Sequence, residues 1–318
     1  MSLFMGVGTV LDGILLNMKG LRVNIVRGLL VMLSWLPLKF HYFMGDVLSW
    51  LARVVLKYRT DVVWVNISRS FPEKKYKDLK LIYKDFYRHF GEIVAETIWF
   101  SGSSYKKLRT QGIVSAVNPE VLAETYSNAP GVTLLCTHCG NWELLGGLLS
   151  YNADGSAFPF DEHDVKVVYK KQKNDVADEV FRRNREAPIS FSGASCALES
   201  RDVLRYCLKH KDEKKVYIYP ADQAPYKDAG KHPIGEFMHQ QTNAMIGSMG
   251  VACKLSHAVV YMTMKRVGRG HYEITYIPIC PDASALSPEV ILRKYYDLLE
   301  EEIKETPANW LWSHKRWK

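Results

Sequence analysis

The sequence predicts an α/β fold, a largely parallel or mixed sheet flanked by helices, preceded by N-terminal membrane-associated helices. Three observations carry this expectation. Short β-branched and aromatic runs alternate with helical patterns from about residue 132 to residue 279. A capped helix follows the last strand candidate, and the first sixty residues are both greasy and basic. The composition agrees: 318 residues with 47% apolar and 24% charged side chains can build a packed core, which excludes a disordered or fibrous chain. No repeat at solenoid or propeller period occurs.

Residues 1–60 form the first expected unit and residues 61–318 the second. In the first, Lys19, Arg22, Arg27, Lys39, Arg53, Lys57 and Arg59 stand against only Asp12 and Asp46, among many Leu, Val, Met, Phe and Trp. The charge-free piece from Gly28 to Leu38 is interrupted by Lys39, whereas a bilayer span needs roughly twenty apolar residues. Helices lying in the headgroup region of an anionic membrane fit better, with Trp35 and Trp50 at the interface. A helical subdomain packed on the core is the alternative.

In the second unit, Ser70-Phe71-Pro72-Glu73 reads as a helix start, followed by apolar residues at helical spacing up to Phe100. Val132–Cys136, Val165–Tyr169, Val216–Tyr219, Ala258–Lys265 and Tyr272–Ile279 are strand candidates. Helices are expected from about Asn141 and through Arg185, and Ser287-Pro288-Glu289 opens a last one, because Ser caps and Pro suits the first helical position.

The balance of 42 basic against 34 acidic residues gives a net charge of +8, which favours anionic partners without choosing among them. Six cysteines, at 136, 139, 196, 207, 253 and 280, are too sparse for a disulfide framework and fit a reducing compartment. The first basic residue is Lys19, so a charged secretory n-region is missing and the N-terminus is expected to be retained.

The chemistry is expected in THCGNWELLGG, residues 137–147. An apolar strand delivers His138 to its C-terminal end, where α/β sheets place ligands, and Gly140 permits a tight turn. Glu143 follows His138 by five residues, a separation that would put the two on different faces of a continuous helix; a bend at Gly140 would let the carboxylate hold the imidazole. Spacing alone is weak. Ten His and 34 acidic residues give about one such pair by chance, and His41 with Asp46 is a second instance, with no strand before it. A satisfied structural histidine is the competing reading of His138.

HCGNWE resembles the His-x4-acidic signature of the bacterial lipid A late acyltransferases, the lauroyl and myristoyl transferases. NISRSFPE at 66–73, VVYKKQKNDVADEVFRRNRE at 167–186, the pair Asp222-Gln223 after a strand, and the terminal WLWSHKRWK fall in the same order, so that the resemblance runs from about residue 20 to the end. It implies a glycerol-phosphate-acyltransferase-like fold, an N-terminal membrane anchor at the cytoplasmic face of the inner membrane, an acyl carrier protein thioester as donor, a phosphorylated glycolipid as acceptor, and neither metal nor other cofactor. By position His138 becomes the general base and Glu143 its orienting partner. Backbone N–H groups at the start of the helix near Asn141 are candidate oxyanion donors by the physics of helix ends. Where the family commonly reads Val-Tyr-Arg-Pro, this chain has Lys170 and Lys171 after Tyr169; where it shows Phe-Phe-Gly-x-Pro, this chain has Phe237 to Gln241. Lys offers a point charge where Arg offers a planar fork.

Lys170, Lys171, Lys173, Arg182, Arg183 and Arg185 form the densest basic cluster, flanking Asn174 and Asp178. They read either as a cradle for substrate phosphates and an acidic carrier or as a solvated helix face. Asn141, Lys170, Asn174, Arg182, Asp222 and Gln223 are the expected substrate contacts; for the last two the alternative is a polar strand-end turn. Two other classes compete with this reading. Cys136-Thr137-His138-Cys139 has the C-x-x-C spacing of redox and zinc sites, but no second ligand pair accompanies it. A basic binder of anionic membranes would explain the charge without chemistry, and nucleic acid is not expected because recognised motifs are missing.

Overall fold

The alternation of strands and helices builds a seven-stranded sheet in the computed structural model, which describes residues 2–152, 156–189, 193–225 and 232–317, with side chains from Met18 onward. Helices α1 (Ser2–Leu33), α2 (Leu38–Trp50), α3 (Thr60–Ser70), α4 (Tyr76–Phe100) and α5 (Tyr105–Gln111) precede it. Then come β1 (Val114–Ala116), α6 (Pro119–Asn128), β2 (Val132–Cys136), β3 (Val165–Tyr169), α7 (Asp175–Arg185), β4 (Ala197–Glu199), α8 (Val203–Lys209) and β5 (Val216–Pro220). A separate antiparallel hairpin, β6 (His232–Phe237) and β7 (Gln240–Ala244), leads to α9 (Gly247–Lys254), β8 (Ala258–Gly268), β9 (His271–Cys280) and α10 (Pro288–Glu305). The sheet order is β1-β9-β8-β2-β5-β3-β4, parallel throughout except for the β8–β9 pair. The mixed α/β sheet flanked by helices is therefore as expected.

Two apolar cores cover the faces of the sheet, because successive strand side chains point to opposite sides. Leu135, Tyr217, Tyr219 and Tyr261 join Ile291, Tyr295 and Leu299 of α10 on one face. Val132, Leu134, Cys136, Ile218 and Val260 join Trp99, Phe100, Leu122 and Leu144 on the other. β2 is buried along its whole length, which accounts for its near-continuous apolar sequence. Each fully buried Leu or Val side chain stabilises the fold by about 1.5–3 kcal/mol.

Some expectations are corrected. The Ser70–Glu73 signal does not open a helix: Ser70 ends α3, and α4 begins at Tyr76. Pro72 disfavours helical backbone at Phe71, whose buried ring packs on Trp312 at 5.8 Å instead. The helix expected from Asn141 is a 3₁₀ helix, Trp142–Ser150. β1 and β4, three residues each, were too short to read.

Among the described residues no single helix is long and apolar enough to cross a membrane; Met18–Leu33 and Leu38–Val55 together are, but they are bent by 114°. Their outer surface is apolar, with Leu21, Ile25, Leu29, Trp35, Phe43 and Trp50 all exposed. The inner surface of α2 meets α4 at Gly45 and Gly91. A Cβ on Gly91 would lie 2.3 Å from the backbone oxygen of Gly45, and one on Gly45 2.6 Å from that of Gly91. Neither helix can yield, since the obstacle is backbone. Gly91→Ala is therefore expected to push α2 off α4 and cost about 1–3 kcal/mol, read as a lower denaturation midpoint and faster proteolysis near residue 37.

Candidate active site

The register of two parallel strands assembles the site. Cys136 of β2 pairs with Pro220 of β5, so His138 and Asp222, each two residues further on, leave the sheet side by side. Helix α10 fastens both strand ends from below: the Tyr295 hydroxyl donates to the Cys136 carbonyl at 2.9 Å and the Tyr296 hydroxyl to the Ala221 carbonyl at 3.0 Å.

His138 Nδ1 lies 2.7 Å from Oδ1 of Asp222, and the His138 backbone N–H donates to Oδ2 at 3.0 Å. The indole N–H of Trp310 donates to the same Oδ2 at 2.8 Å. Burial raises the affinity of the Asp222 carboxyl for its proton, but His138 and Trp310 outweigh it and hold the group down at about 2. A carboxylate at Nδ1 fixes the proton there, which leaves Nε2 with a lone pair. That atom receives the side-chain amide N–H of Gln223 at 3.0 Å and faces a cavity of about 700 Å³.

The expected partner of His138 was Glu143, and this is corrected. Glu143 turns to Arg185, whose Nε and Nη2 donate to its two carboxylate oxygens at 2.8 and 2.7 Å, with the Trp142 indole N–H at 3.2 Å. The physical reason lies at Gly140, with φ +62°, where a Cβ would strike the Met264 carbonyl oxygen at 2.3 Å. The chain turns tightly there, and the 3₁₀ helix that follows directs residue 143 toward α7. The Trp142 ring, not the Glu143 carboxylate, covers the imidazole, edge to face at 4.9 Å.

Of the expected substrate contacts, Lys170, Arg182 and Gln223 line the cavity. Asn141, Asn174 and Asp222 do not. Asn174 caps α7, its Oδ1 accepting from the N–H groups of Val176 and Ala177. Asn141 is buried, caps the 3₁₀ helix through the Glu143 N–H, and donates its amide to Glu96 at 2.8 Å. The backbone N–H groups of His138, Cys139, Asn141 and Glu143 are engaged by Asp222, Thr137, the Met264 sulfur and Asn141 respectively, so these four are not poised for an oxyanion. In the basic cluster Arg182 and Arg185 line the cavity, although Arg182 is paired with Glu179 and Glu186 and Arg185 with Glu143, while Lys171 pairs with Asp175 and Arg183 with Glu179. Cys136 and Cys139 are buried, and burial pushes both thiols up, the reverse of a reactive redox pair.

Several residues went unread. Glu96, fully buried on α4, gathers donors from Asn141, Tyr42 and Tyr272, and His89 Nε2 lies 3.0 Å from the Gly140 carbonyl. On α4 both follow the apolar spacing and gave no separate signal. Trp310 stood inside the recognised terminal motif, without a role.

These features define an α/β protein with a carboxylate-held imidazole at the C-terminal edge of a sheet, facing a mostly apolar cavity with Lys170, Arg182 and Arg185 in its wall. Residues 16–318 match the family of bacterial lipid A biosynthesis acyltransferases, and the chain belongs to that family. Comparison with curated proteins gives no match. An acyltransferase of this family uses an acyl donor and a lipid acceptor, in a membrane-associated setting.

Beneath the loop, the carboxyl of Glu302 is pushed up to about 7, chiefly by burial, while the Tyr261 hydroxyl and the Met264 N–H pull it back. A carboxyl whose folded pKa exceeds its unfolded value keeps a proton the unfolded chain has released, so it costs stability as pH rises from about 4.5 to about 7. Glu302→Gln removes that cost. The stability difference between variant and parent is expected to grow across this window by on the order of a few kcal/mol, measured by denaturant unfolding at a series of pH values.

Proposed function

We propose that this chain transfers a fatty acyl group from an acyl carrier protein thioester to a hydroxyl of a lipid A precursor, with His138 as general base and Asp222 as its partner. The observation that carries the reading is the His138 imidazole, tied at Nδ1 to a buried carboxylate and, at the cavity wall, holding at Nε2 only the Gln223 amide N–H, a bond that the attacking hydroxyl replaces. Nε2 takes the proton of the attacking hydroxyl as its oxygen bonds to the thioester carbon. The tetrahedral intermediate collapses, the carbon–sulfur bond breaks, and the imidazolium returns the proton to the thiolate, giving an ester and a free thiol. Asp222 keeps the tautomer and stabilises the transient imidazolium, the role first assigned to Glu143. Glu143 acts one step away by orienting Arg185.

Gln223, whose amide lies 3.0 Å from His138 Nε2, and Arg185, which lines the same cavity, take the oxyanion role in place of those four engaged backbone N–H groups. Lys170, Arg182 and Arg185 supply positive charge for acceptor phosphates. The apolar surface of α1 and α2, packed on the rest of the chain through α4, rests on the cytoplasmic face of the inner membrane. Support for this comes from the contiguous exposed apolar side chains of α1 and α2, interspersed with Lys19, Arg22 and Lys39, since soluble surfaces seldom expose patches so extended.

The test is acyl transfer by the purified full chain to a lipid A precursor, with mass spectrometry of the product. His138→Ala and Asp222→Asn are each expected to lower the rate by about two to four orders of magnitude with acceptor binding kept. Glu143→Gln is expected to lower it less and to raise KM for the acceptor. Equal loss in Glu143→Gln and Asp222→Asn would return the partner role to Glu143. A mass gain on an aminolipid or lysophospholipid alone would redirect the acceptor.

A further inference from the structure

The cavity has two unlike arms. On the face of the sheet that carries Cys136 and Val167 it is bounded by Leu145, Gly146 and the guanidinium groups of Arg182 and Arg185. On the opposite face, which carries Val168 and Tyr219, its walls are Val203 and Leu204 of α8 and Ile246 with the first turns of α9. That second arm is apolar. From His138, at the end of β2, its far side at β4 is three strands away in the order β2-β5-β3-β4. At about 4.8 Å per strand this is roughly 14 Å. An extended saturated chain of about a dozen carbons has that length, at roughly 1.3 Å per carbon from ordinary bond lengths and angles.

Gly247, Gly250 and Val251 occupy positions i, i+3 and i+4 of α9, one face of the helix, and all three line the cavity. Two glycines weaken an eight-residue helix. Crowding does not require them, because a Cβ on either would meet no atom within 4 Å. The space beside each is open, and both are exposed where they line the cavity.

We propose that the apolar arm holds the fatty chain of the acyl donor and that Gly247 and Gly250 of α9 set the chain length this enzyme transfers. The proposal rests on the acyl-transfer reading above and names the part of the cavity that selects the donor. With the carbonyl carbon beside Nε2 of His138, the chain runs along the C-terminal edge of β5 and β3 toward β4. The acceptor's phosphates are left to the arginine arm. A side chain added at residue 250 points into the space the chain would fill, so it shortens the path without touching the imidazole.

The experiment offers the full chain an equimolar mixture of decanoyl, dodecanoyl, tetradecanoyl and hexadecanoyl carrier-protein thioesters with a lipid A precursor, and reads the product distribution by mass spectrometry. Gly250→Met is expected to shift the preferred chain by roughly two to four carbons toward the shorter end. The ratio of the longest to the shortest product is expected to fall about tenfold. Leu204→Trp, on the facing wall at a half-exposed position, is expected to shift it the same way. Gly250→Ala strengthens the helix and adds one methyl group to open space; its smaller shift decides the matter if the larger variants do not turn over. A wild-type product distribution in variants that still transfer overturns the chain-length proposal and leaves acyl transfer standing. A change only in which acceptor is consumed gives the arm to the acceptor's chains and likewise overturns it. Failure of the unaltered protein to use any thioester would instead overturn the parent reading.

Discussion

The contact between the His138 imidazole and the buried Asp222 carboxylate is the constraint on which the other features of the site depend. Removing a carboxylate from water is costly, and a buried ion pair rarely stabilises a fold relative to apolar packing. Here three donors converge on that carboxylate, from the His138 ring, the His138 backbone and the Trp310 indole. The C-terminal segment is thereby drawn into the site. Trp310 and Trp312 are buried against each other at 4.8 Å, and Arg316 reaches Tyr296, the residue that fastens the end of β5. Such an arrangement concentrates polar groups where chemistry would use them and surrounds them with rings that exclude water.

From the other side the loop is held by α4. Glu96 takes the Asn141 amide and the hydroxyls of Tyr42 and Tyr272, and burial raises its affinity for a proton despite these donors. Glu92, next on the same face, receives Arg266 and Arg269, and the latter also grips Asp46. One helix therefore ties the apolar hairpin of α1 and α2, through Tyr42 and Asp46, to the turn that presents His138. The loop that carries His138 and the exposed apolar surface of α1 and α2 share a rigid support rather than a flexible linker, and the close contact of Gly45 with Gly91 makes that support possible.

The cavity follows from the same geometry. A parallel sheet ends all its central strands on one edge, so the edge is a natural trough, and helices on either face give the trough unlike walls. Here α7 lends arginines to one wall and α8 with α9 lend apolar side chains and glycines to the other. A phosphorylated lipid and a fatty thioester have matching halves, one anionic and one apolar.

Much of this was legible in the residues. Val132–Cys136 and Val165–Tyr169 stand where β-branched runs put them, the Ser287 cap opens α10, and the HCGNWE stretch falls at a strand end, because each depends on local preference or on a period that one segment contains. The order of the motifs carried the family. The partner of His138 was different: Glu143 is five residues away in the chain and turns to α7, while Asp222 is 84 residues away and arrives by the pairing of Cys136 with Pro220. Likewise the buried Glu96 and the two-armed cavity exist only once α4, α7 and α9 are laid against the sheet. Sequence determined the elements and the strand-end position of the His138 ring, since these are set by neighbours along the chain. Tertiary structure decided which carboxylate holds that ring and which walls face it, since those contacts depend on strand register and helix placement.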